Sequence, residues 1–268
     1  MEKKRLDVLL QEKGLVESRS IAQRLIMAGE VRVNGQVVLK ASGKFNENVE
    51  INIEQGPRFV SRGGEKLEAA LIAFERTDLA GLVCADVGSS TGGFTDCLLQ
   101  HGASRVYAID VGYGIMHWKL RNDPRVVLME RTNARNVSSL PELVALVSID
   151  ASFISLRIIL PVVKKWFGSN NGEVIALIKP QFEAGKADAA KGDGVIRDPQ
   201  IHREVLVRIL SFAESVGFEA TGLIRSPLLG PKGNTEFLVH LLVPGKAKQD
   251  PGQLIDPLFT DGTKLMVS

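Results

Sequence analysis

The chain has 268 residues, of which 44% are hydrophobic and 24% charged, and its formal net charge is +2. This length suits one large or two ordinary domains, and the composition excludes a disordered or fibrous chain. A net charge this small does not by itself indicate a nucleic-acid partner. No apolar run approaches the roughly 18 residues of a membrane span, and the charged start MEKKRLDVLL lacks the apolar stretch of a signal peptide. We therefore expect a cytoplasmic protein without a membrane partner.

Residues 1–57 are predicted to form a small α+β domain. A short helix and a second one capped by Ser18 precede VRVNGQVV, whose alternation around Asn34-Gly35 predicts a β-hairpin, and another strand follows. Up to Arg58 the segment carries ten basic and eight acidic residues. An ordinary solvated surface therefore explains these charged residues as well as a binding surface does.

The segment EQGPRFVSRGG interrupts the periodic pattern with glycine and proline. We interpret residues 58–64 as a linker. A second domain is then expected over 65–245, followed by a C-terminal tail over 246–268.

The segment CADVGSSTGGFTDCLLQHG, residues 84–102, predicts a strand, a glycine-rich turn and a helix. An apolar run ends at Asp86, and beyond Gly88 apolar residues recur at helical spacing. Glycine allows a ligand to approach the backbone closely, and the amides at the start of a helix favour a negatively charged group. A tight turn in any α/β sheet would explain the same pattern, so the turn alone leaves the function open.

Strands and helices alternate through the rest of the second domain. Beyond the strand that precedes the glycine turn, strands are predicted over 105–110, 125–130, 143–150, 173–180, 218–224 and 236–243. This order predicts a seven-stranded, doubly wound α/β sheet, parallel except at its end. Ligands of such sheets bind at the carboxyl ends of the strands, where Gly88, Asp110 and Asp150 fall.

Two nucleoside ligands fit a glycine turn followed by an acid after the next strand: a dinucleotide and S-adenosylmethionine. Asp110 is the acid, suited to accept hydrogen bonds from ribose hydroxyls. The turn lacks the G-x-G-x-x-G order, and the carboxylate of Asp86 would repel a pyrophosphate but favour a cationic sulfonium. S-adenosylmethionine is therefore the expected cofactor.

A metal site is not expected. Cys84 and Cys97 fall in a predicted strand and helix, where they are interpreted as core residues rather than as a disulfide. The four histidines show no ligand spacing.

Several motifs resemble known families. RLDVLLQEKG and SRSIAQRLIMAGEVRVNG resemble the RNA-binding domain named after the fourth small-subunit ribosomal protein. Residues 58–243 resemble ribose 2′-O-methyltransferases of the FtsJ type through DVGSSTGGFTD, AIDVGYG, LRNDPRVVLMERTNAR, DASFISL, IKPQFEAGK and GNTEFLVH. Almost the whole chain resembles the TlyA family, whose members modify ribosomal RNA and are often named haemolysins. The resemblance implies a Rossmann-like methyltransferase sheet and methylation of a ribose, that of a cytidine, in ribosomal RNA.

The resemblance also implies three sets of site residues. The cofactor would be bound by Asp86, Gly88, Ser89, Ser90, Thr91, Gly92, Gly93, Phe94, Asp110, Val111, Thr132 and Asn133. The family's catalytic tetrad of Lys, Asp, Lys and Glu matches Lys66, Asp150, Lys179 and Glu236. Ribosomal RNA would be bound by Lys4, Arg5, Arg19, Arg24, Arg62 and Lys186.

The tetrad suits the transfer of a methyl group to a ribose hydroxyl. Such a hydroxyl attacks more readily when its proton leaves or its developing negative charge is stabilised. Lys179 is expected to contact the oxygen, with Asp150 and Glu236 orienting Lys179 and with Lys66 adding positive charge. Taken singly, each residue is better explained by an ordinary salt bridge, and only the four matches together favour the tetrad.

The aperiodic stretch QFEAGKADAAKGDGVIR, residues 181–197, is typical of a lid or binding loop. Lys186 and Lys191 within it are candidates for contact with RNA phosphates. A surface loop without a ligand is the alternative.

Two other classes of function remain possible readings of the sequence. A pore-forming haemolysin would need an amphipathic or apolar membrane segment, and none is visible. A noncatalytic RNA-binding factor for ribosome assembly would have no need of the tetrad or of the cofactor turn. Both alternatives predict that S-adenosylmethionine does not bind.

Overall fold

The computed structural model describes residues 3–54, 56–184, 194–245 and 250–260. The chain divides into two units, Met1–Arg58 and Phe59–Ser268. Each unit has a hydrophobic core of its own.

The first unit contains two helices and five short strands. Its elements are β1 (Lys4–Arg5), α1 (Leu6–Glu12), α2 (Arg19–Met27), β2 (Val31–Val33), β3 (Gln36–Val37), β4 (Lys44–Phe45) and β5 (Ile51–Ile53). β2 lies between β3 and β5 in an antiparallel sheet, and β1 pairs with β4. The Ser18 hydroxyl caps α2 by accepting a hydrogen bond from the amide of Ile21. The β2–β3 hairpin turns at Asn34 and Gly35, both with positive φ, as the sequence predicts.

The second unit alternates strands with helices. Its first half contains α3 (Gly63–Ala73), β6 (Val83–Val87), α4 (Gly93–Gln100), β7 (Arg105–Ile109), α5 (Trp118–Arg121), β8 (Val126–Met129) and β9 (Leu146–Ile149). Its second half contains α6 (Leu156–Val163), β10 (Gly172–Ile178), α7 (Pro180–Glu183), α8 (Pro199–Ser215), β11 (Glu219–Arg225), β12 (Phe237–Val243), α9 (Pro251–Ile255) and α10 (Pro257–Thr260).

Seven strands form one sheet in the order β11-β12-β10-β9-β6-β7-β8, which confirms the predicted fold class. Alternate residues of β6 pack into different hydrophobic clusters: Ala85 and Val87 belong to one cluster, and Cys84 belongs to the other. Because neighbouring side chains of a strand point to opposite faces, the sheet is covered on both faces. β12 is antiparallel to both of its neighbours. β12, the antiparallel strand, therefore lies inside the sheet and not at its edge. It pairs with β11 on one side and, from Phe237 to Val243, with β10 on the other.

The structure differs from the predicted boundaries at two places. Residues 59–64, interpreted as a linker, belong to the second unit, since Phe59 is buried and Gly63 and Gly64 form the first turn of α3. The predicted tail contains α9 and α10, and Ile255 is buried in the core. An Asp N-cap followed by Pro begins α9 at Asp250.

Candidate active site

The glycine turn connects β6 to α4 at the carboxyl end of the sheet. Gly88, Ser90 and Gly92 all have positive φ, and α4 begins at Gly93. A Cβ atom on Gly88 would lie 2.5 Å from the carbonyl oxygen of Asp150. Only glycine therefore allows β6 and the chain after β9 to approach each other this closely.

A cavity of about 630 Å³ opens beside this turn. Its volume falls within the roughly 300–1,000 Å³ of small-molecule and cofactor sites. Six of the residues predicted to bind the cofactor line it, namely Gly88, Ser90, Asp110, Val111, Thr132 and Asn133. The rest of its wall comes largely from residues 150–155, after β9. We call this space the large cavity.

The carboxylate of Asp110 is held at the end of β7 by two backbone amides. Its Oδ2 accepts a hydrogen bond from the Ser90 amide at 2.8 Å, and its Oδ1 accepts one from the Gly112 amide at 2.6 Å. Each carboxylate oxygen has a further lone pair for a ligand hydroxyl. The carboxylate of Asp110 is thus fixed in position and can still accept hydrogen bonds from a ligand in the large cavity.

A second cavity of about 220 Å³ also borders the turn. Ser89, Thr91, Gly93 and Phe94 line it, together with Ser61, Arg62, Gly63, Lys66, Lys179 and Pro231. Gly88, Ser90 and Asp150 line both cavities. The two spaces therefore meet at the end of β6, and we call the second one the small cavity.

Asp86 and Gly92 line neither cavity, although both were predicted to bind the cofactor. The carboxylate of Asp86 is wholly buried and accepts hydrogen bonds from the hydroxyls of Thr95 at 2.7 Å and Ser148 at 3.0 Å. Burial raises its pKa to about 7. Asp86 thus joins β6 to α4 and β9 beneath the site. Gly92 is needed for packing instead, because a Cβ atom there would collide with the side chains of Leu120 and Met116.

The four tetrad residues form two ion pairs. Lys179 Nζ lies 2.5 Å from Asp150 Oδ1 and donates a hydrogen bond of 3.0 Å to the hydroxyl of Ser152. Lys66 Nζ lies 2.6 Å from Glu236 Oε2. Lys66, Asp150 and Lys179 line the small cavity, and the nearly fully buried Glu236 does not.

Glu236 therefore does not orient Lys179 as the sequence analysis expected. Its Oε1 accepts a hydrogen bond of 3.3 Å from Gln181 Nε2, and its Oε2 accepts one from Lys66 Nζ. A buried carboxylate and a buried ammonium each lose hydration, so each requires the other. Glu236 holds Lys66 at the small cavity, and Asp150 is the carboxylate that pairs with Lys179.

Ser152 and Glu183 belong to the site but were not identified from the sequence. Glu183, at the end of α7, accepts hydrogen bonds from the Ser155 hydroxyl at 2.6 Å and from the Leu156 amide at 2.7 Å. Burial raises the pKa of this carboxyl. Glu183 thereby fixes the start of α6, and with it the residues after β9 that form the wall of the large cavity. No sequence spacing indicates this pairing.

The predicted RNA-binding residues lie in different settings. In the first unit, Lys4 pairs with two glutamates, Arg5 and Arg19 contact Asp7, and Arg24 is exposed. In the second unit, Arg62 lines the small cavity and donates a hydrogen bond to the Leu229 carbonyl at 3.1 Å. Lys186 and Lys191 lie outside the described residues.

Neither a metal site nor a membrane span is found in the described part of the chain. Its His, Cys, Asp and Glu side chains form no group of three or more that could hold a metal ion. Its helices are all too short or too polar to cross a membrane. Cys84 and Cys97 are both buried in the core, where the sequence places them.

Comparison with known proteins places both units in families. Residues 59–242 match the FtsJ-like methyltransferase family, and residues 4–51 match the S4 domain. Hemolysin A of Brachyspira hyodysenteriae is 43% identical over 89% of this chain and 100% of its own length. The 16S/23S rRNA (cytidine-2'-O)-methyltransferase TlyA of Mycobacterium tuberculosis is 42% identical over 88% of this chain and 89% of its own.

A solved structure points the same way. A protein from Streptococcus thermophilus that carries a hemolysin name shares 41% sequence identity, covers 96% of both chains and superposes with a TM-score of 0.70. At 96% coverage this match extends over both units. The chain therefore belongs to the TlyA family of FtsJ-like methyltransferases and carries an S4 domain in its first unit.

Proposed function

We propose that the protein transfers a methyl group from S-adenosylmethionine to a ribose 2′-hydroxyl, that of a cytidine, in ribosomal RNA. The observation that carries this proposal is the position of Lys179. Its ammonium lines the small cavity, paired with Asp150, beside the point where the small cavity meets the large one. A group bound in one cavity and a hydroxyl bound in the other would therefore react next to a fixed cation.

The residues of the large cavity fit S-adenosylmethionine. Asp110 offers carboxylate oxygens to ribose hydroxyls, and Val111 and Ile115 offer apolar surface to a flat base. Gly88 allows the backbone at Asp150 to approach the turn closely, at the place that both cavities share. When bound, S-adenosylmethionine supplies an electrophilic methyl group.

The protein's own residues then act on the acceptor. Lys179 Nζ would donate a hydrogen bond to the ribose oxygen and stabilise the negative charge that develops on this oxygen as the hydroxyl proton passes to solvent. Asp150 and Ser152 hold that ammonium in place. Lys66, fixed by Glu236, adds a second positive charge at the wall of the small cavity.

The substrate assignment is supported by the TlyA relative, whose name specifies cytidine methylation of 16S and 23S rRNA. The S4 domain supports RNA binding by the first unit. Since ribosomal RNA is a cytoplasmic molecule, we also infer a cytoplasmic location. The hemolysin name of a relative is not accompanied by a membrane-spanning helix among the described residues.

The proposal is tested by binding and transfer measured on the same preparation. Calorimetry should detect S-adenosylmethionine binding, and labelled methyl groups should appear on ribose in unmodified 16S or 23S rRNA transcripts or assembled subunits. Mapping of the 2′-O-methylated positions then identifies the nucleotide. Absence of cofactor binding would favour the two alternatives, the noncatalytic assembly factor and the pore-forming haemolysin. Binding without transfer to any ribosomal RNA would overturn the substrate.

A further inference from the structure

Asp7 is a buried carboxylate in the first turn of α1 that accepts hydrogen bonds from side chains of β1 and α2. It accepts hydrogen bonds from Arg5 Nε and Nη2, both at 3.0 Å, from Arg19 Nη2 at 3.1 Å and from Gln23 Nε2 at 2.8 Å. The carboxylate itself has no exposed surface. These contacts hold its pKa well below the usual range, Arg5 making the largest contribution.

The two arginines face solvent while they are held from below. Their side chains are 42% and 51% exposed. A guanidinium has five N–H donors, and only two of those of Arg5 and one of those of Arg19 bond to Asp7. The remaining donors are therefore available at the surface in a fixed arrangement, and two cations against one anion leave a net positive charge there.

We propose that Asp7 is a positioning residue that presets Arg5 and Arg19 as a paired site for phosphates of structured RNA. This inference rests on the proposed function, because it concerns how the ribosomal RNA substrate is held. A long side chain that is already ordered loses less freedom on binding than a free one. The planar guanidinium is suited to bidentate contact with phosphate oxygens.

Charge and positioning predict opposite results when Asp7 is neutralised. RNA is a polyanion, so removal of a negative charge near its binding surface should tighten binding if charge alone matters. If Asp7 sets the geometry of the two arginines, the same change should weaken binding. The sign of the effect therefore separates the two explanations.

The experiment compares Asp7→Asn with Glu17→Gln in the full chain. Glu17 is an exposed carboxylate of the same unit, so its substitution changes the charge by the same amount. The probe is unmodified 23S rRNA transcript, titrated at several salt concentrations. We expect Asp7→Asn to weaken binding at least about fivefold while Glu17→Gln leaves it equal or tighter. The inference is overturned if Asp7→Asn binds RNA as tightly as the unaltered protein.

Arg19→Lys keeps the charge and guards against a folding defect in Asp7→Asn. Hydrogen exchange at the amides of Leu10 and Ile26, both buried, reports whether the first unit is folded. If Asp7→Asn is unfolded, Arg19→Lys decides, because a lysine lacks the planar fork. Binding by Arg19→Lys that is at least threefold weaker supports positioning, and binding equal to that of the unaltered protein refutes it.

Methyl transfer is measured separately from RNA binding. With Asp7→Asn we expect the KM for RNA to rise with the affinity loss while kcat is kept, since Asp7 does not touch the reacting atoms. If the unaltered protein methylates no ribosomal RNA, the proposed function fails. The comparison of Asp7→Asn with Glu17→Gln would still decide whether Asp7 positions the arginines.

Discussion

At the scale of the residue, the two lysines of the tetrad differ in the exposure of their carboxylate partners. Lys179 is paired with Asp150, which is partly exposed in the small cavity, and Lys66 is paired with Glu236, which is nearly fully buried. Both ammonium groups line the small cavity, but only the carboxylate partner of Lys179 can be reached from it. We therefore assign the contact with the acceptor oxygen to Lys179.

Lys179→Ala should lower methyl transfer by at least about a hundredfold, because it removes a cation needed mainly in the transition state. Cofactor and RNA affinities should stay near those of the unaltered protein. Lys179→Arg should restore little activity, since a planar guanidinium cannot place one donor as an ammonium does. Single-turnover transfer of labelled methyl to rRNA measures the effect, and Lys165→Ala, at an exposed lysine, is the control. Near-normal transfer by Lys179→Ala would remove Lys179 from the mechanism.

The second residue-scale prediction concerns Asp86, whose pKa burial raises from 3.8 to about 7. Between these values the folded protein keeps the proton that the unfolded chain loses, so stability falls as the pH rises. Asp86→Asn cannot ionise and should escape this loss, which is about 1.4 kcal/mol for each pH unit in the window. Its free energy of unfolding should therefore improve relative to the unaltered protein between about pH 4 and pH 7.

Urea unfolding at several pH values measures this difference. Asp78→Asn, at an exposed carboxylate, is the control and should leave the pH profile unchanged. Parallel profiles for Asp86→Asn and the unaltered protein would contradict the raised pKa of Asp86.

At the scale of the element, the turn between β6 and α4 determines where both cavities begin. Its strand and helix were predicted correctly because apolar runs and glycines are local signals. The pairing of Glu236 with Lys66 could not be predicted, since the two residues are 170 positions apart and either lysine offered a chemically equivalent partner. The burial of Asp86 was missed for the same reason, because its partner Ser148 comes from a different strand.

Gly88→Ala and Gly81→Ala form a matched pair that tests the close approach at this turn. Both glycines have positive φ, but a Cβ on Gly81 meets nothing within 4 Å, whereas one on Gly88 would strike the Asp150 carbonyl. Gly81→Ala should cost about 1–2 kcal/mol of stability from backbone strain alone. Gly88→Ala should cost more and should also reduce cofactor affinity, because it displaces the wall shared by the cavities. Thermal unfolding and calorimetry with S-adenosylmethionine measure both effects, and equal losses for the two variants would exclude the collision.

At the scale of the whole molecule, the two units have separate cores and match separate families. The core of the first unit contains only a few side chains, including Leu6, Leu10 and Ile26. A domain of this size is marginally stable, so the loss of one core side chain should unfold it. The hydrophobic clusters of the larger second unit contain no residue of the first unit.

Leu10→Ala should therefore separate RNA binding from cofactor binding. The substitution should cost about 2–5 kcal/mol in the first unit. Affinity for ribosomal RNA and methyl transfer should fall, while calorimetry should find S-adenosylmethionine affinity unchanged. Leu39→Ala, at a leucine that is 65% exposed, is the control. Full methylation by a Leu10→Ala protein whose first unit has lost its amide protection would show that this unit does not dock the RNA.

The interior position of β12 has a consequence for biosynthesis. β12 is the last strand of the sheet to be made, yet it lies between β10 and β11. Until residue 243 has left the ribosome, one edge of β10 has no partner, and an unpaired edge is prone to aggregation. The first unit has all its strand partners within its own length and can fold early, since domains fold as units during synthesis. A growing chain therefore completes its S4 domain before Glu236 can reach Lys66 at the wall of the small cavity.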